Sequence, residues 1–79
     1  MLKEINNYIN DKEFRINIYK EKINIVNYKN IISLEDNYIS VLTDDNKIII
    51  NGENLHLIKI LENELLIKGT IKKIEVVDD

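Results

Sequence analysis

From Phe14 onward the chain sets its apolar residues two apart, and that period decides what it can fold into. Ile16 and Ile18 alternate with Arg15 and Asn17, and Ile23 and Ile25 alternate with Lys22 and Asn24. Ile39 and Val41 share one face of a run from Tyr38 to Leu42. Spacing of this kind buries one side of a strand, whereas a helix needs steps of three and four. Composition points the same way. The 79 residues include 17 Ile and 12 Asn but no Ala and no Gln, so the best helix former is missing. Codon bias can raise Ile, Asn and Lys together, but it does not place them two apart.

Polar punctuation divides the alternating region into short pieces. Tyr19-Lys20-Glu21 is a tight link that makes the first two runs a hairpin. Asn27 to Asn30, Glu35-Asp36-Asn37, Asp44-Asp45-Asn46 and Glu62-Asn63-Glu64 read as further turns, because Asp and Asn bond their own backbone and tolerate positive φ. Asn51-Gly52 is the strongest turn signal in the chain, and Gly69 suggests a bulge or a close backbone approach. The count is seven or eight short strands. The expected fold is all-β, a small antiparallel β-sandwich or roll, with a short β-solenoid as the alternative. Leu2, Ile5, Tyr8 and Ile9 lie on one helical face, so residues 1–12 are expected to form a short N-terminal helix or arm and residues 13–79 a single β domain.

Between Leu42 and Leu66 simple alternation fails. Ile49 is apolar beside Ile48 and Ile50; Ile58 and Ile60 follow Leu55 and Leu57; Leu66 lies between Leu65 and Ile67. A sheet with one wet face does not look like this. Two covers for the second face stay open: the N-terminal helix or an opposing sheet, and another copy or a partner. One echo also stands out. Ile48-Ile49-Ile50-Asn51-Gly52 and Leu65-Leu66-Ile67-Lys68-Gly69 each place an apolar triplet, one residue and Gly in the same order. Two solenoid coils would produce it, and so would chance agreement between two strand ends.

Chemistry is sparse. No Cys excludes disulfides and thiolate sites, and one His excludes the common multi-His metal sites. His56 alternates with Leu55 and Leu57 and reads as a strand-surface residue. Two glycines cannot make a phosphate-binding loop, and the acids fall in solvated turns. No enzyme activity and no cofactor are expected. The first 20 residues carry Glu4, Asp11 and Glu13 without an apolar block, so no signal peptide is expected, and the uncharged run from Asn37 to Thr43 is far too short for a membrane span. The net charge is −3, with an acidic middle and no basic stripe, which argues against nucleic acid.

The order of features from Phe14 to Val76 resembles the YabP/YqfC sporulation family. Carrying the resemblance are Phe14 to Ile18, Ile23-Asn24-Ile25-Val26-Asn27-Tyr28-Lys29-Asn30-Ile31, and Ile39 to Thr43. Most specific is the closing part: Ile48 to Leu61, with Gly52-Glu53-Asn54-Leu55 inside it, then Glu64 to Ile71. The Ile-Val-Asn-Tyr-Lys-Asn-Ile block looks closer to the YqfC branch. Asn30 stands where the family usually has Gly, a change compatible with a positive-φ turn. The resemblance implies a small non-enzymatic protein of the mother cell. It would be cytoplasmic or peripheral at the forespore outer membrane, working with a membrane protein of the YqfD or YabQ type. It carries no catalytic or ligand residues.

The leading expectation is therefore an adaptor that presents an apolar sheet face or an open edge to a membrane-protein partner, with Ile49, Ile58, Ile60 and Leu66 as the partner face. A self-assembling homo-oligomer, ring or filament, is the second reading. A small-ligand-binding β domain is the third.

Overall fold

The computed structural model describes residues 13–78. They form one six-stranded antiparallel sheet: β1 (Arg15–Ile18), β2 (Lys22–Val26), β3 (Asn30–Leu34), β4 (Tyr38–Leu42), β5 (Asn46–Ile60) and β6 (Glu64–Asp78). The spatial order is β1-β2-β6-β5-β4-β3. The all-β antiparallel expectation holds. The count of seven or eight strands does not, for a specific reason. Asn51-Gly52 is not a turn but lies inside β5, and Gly69 lies inside β6, so each of these strands runs through what reads as a break. The expected N-terminal helix lies outside the described residues.

Each long strand serves two neighbourhoods. The start of β6, from Glu64 to Lys68, lies between β2 and the end of β5. The start of β5, from Lys47 to Asn51, lies between β4 and the end of β6. The sheet is thus two half-sheets that share β5 and β6. The first holds β1, β2, the start of β6 and the end of β5; the second holds β3, β4, the start of β5 and the end of β6. Ile23, Ile25, Leu65 and Ile67 of the first half and Ile39, Val41, Ile48 and Ile50 of the second are fully buried, and with Leu55 they make one cluster. An uncovered sheet face cannot bury side chains completely, so the inner faces of the two halves cover each other. Of the covers left open above, an opposing layer of the same sheet supplies the one inside.

Bulges explain the doubled apolar parity. Register shifts occur in the β5–β6 ladder between Asn51 and Gly52, between Glu53 and His56, and between Leu57 and Lys59. Each extra residue reverses which parity faces inward. The core side of β5 therefore passes from Ile48 and Ile50 to Leu55 and Leu57. On β6 it passes from Leu65 and Ile67 to Ile74, opposite Ile50, with Lys72 as the extra residue. What reads as two greasy faces is mainly one face that changes phase.

The crossing of β5 and β6 explains both glycines. A Cβ on Gly52 would run into the carbonyl oxygen of Thr70 on the neighbouring strand. Gly69 has φ +142°, and a Cβ there would lie 2.7 Å from the Asn54 carbonyl oxygen. Asn54 itself is left-handed at φ 55°. In the link between β2 and β3 the left-handed residue is Asn27, at φ 65°, while Asn30 already opens β3. A positive φ at Asn30 is therefore not what closes this turn.

The echo between the two apolar triplets has a structural cause that is neither a solenoid nor chance. Ile23 faces Ile67 and Ile25 faces Leu65; Ile39 faces Ile50 and Val41 faces Ile48. The Gly69 N–H donates to the Glu21 carbonyl at 3.0 Å, and the Gly52 N–H donates to the Asn37 carbonyl at 3.2 Å. Each hairpin thus lies on one triplet and docks its turn on the glycine that follows. An approximate two-fold relates β1-β2 to β3-β4 and exchanges the roles of β5 and β6.

Candidate partner-binding surface

Strand edges are the first place to look, because an unpaired edge offers backbone donors and acceptors in a row. Among the described residues β4 pairs with β5 only from Lys47 to Asn51, and β2 pairs with β6 only from Lys22 to Val26. The far ends of β5 and β6 therefore have no strand on their outer side. Nearby backbone contacts are few. The Leu55 N–H donates to the Asp36 carbonyl at 2.7 Å, and the Tyr28 hydroxyl donates to the Leu61 carbonyl at 2.8 Å.

The free end of β5 is apolar. Ile58 is 45% exposed, Ile60 58% and Leu61 44%. Leu57 pairs with Ile67 and Lys59 with Leu66, so Ile58 is the extra residue of a bulge and shares with Lys59 the place opposite Leu66. Beside this edge, on the outer side of the first half-sheet, lies an open cleft of about 710 Å³ lined by Tyr19, Lys22, Asn24, Lys59, Leu61 and Leu66 among others. Its floor is held by a side-chain ladder. Asn17 Nδ2 donates to Asn24 Oδ1 at 2.9 Å, and Asn24 Nδ2 donates to Glu64 Oε1 at 2.8 Å and to the Leu65 carbonyl at 3.1 Å.

Of the four residues expected at a partner face, the structure brings three to one end of the sheet but not onto one face: Ile60 pairs with the buried Leu65 on the inner side, whereas Leu66 is on the outer side opposite Lys59. Ile58, Ile60 and Leu66 lie at the end of the β5–β6 hairpin. Ile49 does not join them. It is half-buried, faces Ser40 and Glu75 in the second half-sheet, and is related to Leu66 by the approximate two-fold. The sequence reading missed Tyr19, which opens the first turn, and Leu61, the last apolar residue before the Glu62-Asn63-Glu64 turn; both stand exposed at the cleft. A signal existed, since an apolar residue flanking a polar turn has no core to enter.

His56 is exposed, and its Nδ1 lies 2.9 Å from the Asn54 carbonyl, a local contact beside the bulge. Among the described residues no three His, Cys, Asp or Glu side chains gather as a metal site. None of their helices is long and apolar enough to cross a membrane.

The model of the YabP family matches residues 10–79 of this chain. The chain belongs to that family. The match is to the family as a whole and does not separate the YqfC branch from the rest. Membership in the YabP family points to a role in sporulation. No curated protein and no solved structure matches this YabP-family chain.

Proposed function

We propose that this YabP-family protein is a non-enzymatic sporulation adaptor that binds a membrane protein of the YqfD or YabQ type on the mother-cell side of the forespore envelope. The carrying observation is a strand end without an outer neighbour that exposes Ile58, Ile60 and Leu61, beside an open cleft lined by Leu61 and Leu66. An extended segment of the partner would add to the free end of β5 through main-chain hydrogen bonds and rest alternate side chains against the cleft. Isolated exposed apolar residues need no explanation, but a run of them along an open edge does. Lys20, Lys22 and Lys59 outweigh Glu21 and Glu64 around the cleft, a small positive excess that favours a partner segment with acidic residues among its apolar ones.

The test is co-purification from detergent-solubilised membranes after co-expression with a YqfD-type protein. Ile58→Asp and Leu66→Asp should each abolish capture while circular dichroism shows the β domain intact. Ile49→Asp, in the other half-sheet, should leave capture in place. Failure of the wild-type chain to capture the partner, or unfolding of both variants, would remove the proposal.

A further inference from the structure

The free end of β6 differs from that of β5 in chemistry, and the difference points to a separate partner. β6 lacks a strand on its outer side from Thr70 to Asp78 among the described residues. The other open edges offer shorter regular stretches for a second copy of this strand. β1 has four residues, and β3 has a register shift between Ile31 and Ser33. The end of β5 has shifts on both sides of its pairs at His56 and Leu57. From Lys73 to Asp78 the β6 ladder with β5 is unbroken. Val76 is 46% exposed there, and Val77 next to it is exposed as well.

Lysines on an edge usually block pairing with another sheet. Here the charge pattern is self-complementary. Lys73 and Glu75 are two apart on one face and form an exposed ion pair at 3.5 Å, while Lys72 is held by Glu53 at 2.9 Å. If two copies pair antiparallel about Ile74, Lys73 of each lies opposite Glu75 of the other. That register places the central pairs, Lys73 to Glu75 of each copy, within the regular part of the ladder and beyond the extra residue at Lys72. Sliding by two in one direction sets Glu75 against Glu75, and in the other Lys73 against Lys73. Like charges directly opposite are unfavourable, so electrostatics selects the central register over both neighbours.

We infer that this chain forms a two-fold dimer through its β6 edge, the ends of β6 from two copies pairing antiparallel about Ile74 so that Lys73 and Glu75 cross-pair. The inner faces of the second half-sheets then continue into each other, and Val76 is covered by the added strand. A two-fold pairing of this kind closes on itself, so it gives a dimer and not a filament. The free end of β5 stays open in the dimer, which leaves the surface proposed above independent of it.

Sedimentation equilibrium of the full-length chain tests the state, and charge reversal tests the register. The wild type should be dimeric at high micromolar concentration. Glu75→Lys, which sets Lys against Lys at two places, should weaken association by about tenfold or more. The double variant Lys73→Glu/Glu75→Lys restores opposite charges and should restore the dimer. The chain has no cysteine, so Lys73→Cys and Glu75→Cys proteins can be mixed and oxidised. The mixed disulfide should form in preference to either homodisulfide. A wild type that remains monomeric at millimolar concentration would overturn the inference. So would a dimer indifferent to Glu75→Lys, or one whose Glu75→Cys copies join to each other. If Glu75→Lys fails to fold, the cysteine pair decides alone.

Discussion

The two half-sheets have the same backbone plan and opposite outer faces. In the first, Asn24 occupies the middle of the outer face and is bonded to Asn17, Glu64 and the Leu65 carbonyl. In the second, Ser40 holds the related place opposite Ser33, is fully buried, and its Oγ has no hydrogen-bond partner. The inner faces agree closely: Ile23, Ile25, Leu65 and Ile67 against Ile39, Val41, Ile48 and Ile50. Symmetry is kept where packing demands it and relaxed on the outer faces. A polar ladder borders an open cleft beside Leu66, whereas the serine at the corresponding point is fully buried.

The comparison can be broken first at the strand crossing. Gly52→Ala drives a methyl into the Thr70 backbone and should cost about 4 kcal/mol, enough to unfold much of a small domain in urea titrations. Gly69→Ala adds a strained φ to a softer clash and should cost about 3 kcal/mol. If both are neutral, the crossing is looser than the described geometry. Next come the related core positions. Ile67→Ala and Ile50→Ala should each lose about 3 kcal/mol in the same titration, because both are fully buried in one cluster. A large difference between them would mean that one half is much less well packed. The outer faces should then separate the halves. Asn24→Ala removes the centre of the ladder and should cost about 1.5 kcal/mol, while Ser40→Ala, which removes an unpartnered buried hydroxyl, should be neutral or stabilising. Equal effects at these two positions would deny the asymmetry. Smallest of all, His56→Ala should change the melting midpoint by no more than about 0.5 kcal/mol of stability allows, since the ring is exposed.

Most of the strand pattern was legible because period two marks a half-buried strand wherever pairing is regular. Ile16, Ile23, Ile25, Ile39 and Val41 fall on the core side as their spacing demands. Reading failed at Asn51-Gly52, where a dipeptide that favours hairpin turns lies in a fifteen-residue strand. Gly is there because Thr70 leaves no room for a Cβ, a tertiary fact with no local signature. The same bulges hid the phase changes, so Ile49 was grouped with Ile58, Ile60 and Leu66 on a face that does not exist as one surface. The triplet echo was visible, but the long-range pairing that gives it meaning was not, because β2 meets β6 some forty positions further on.

That long reach bears on how the protein is made. The second half-sheet begins as a local meander, β3 to β4 to the start of β5, which can zip as it emerges from the ribosome. The β1-β2 hairpin is synthesised earlier, yet Ile23 and Ile25 find their strand only once Leu65 and Ile67 have been translated. Until then its oily side waits in the nascent chain, so the segment written first is the last to be sheltered.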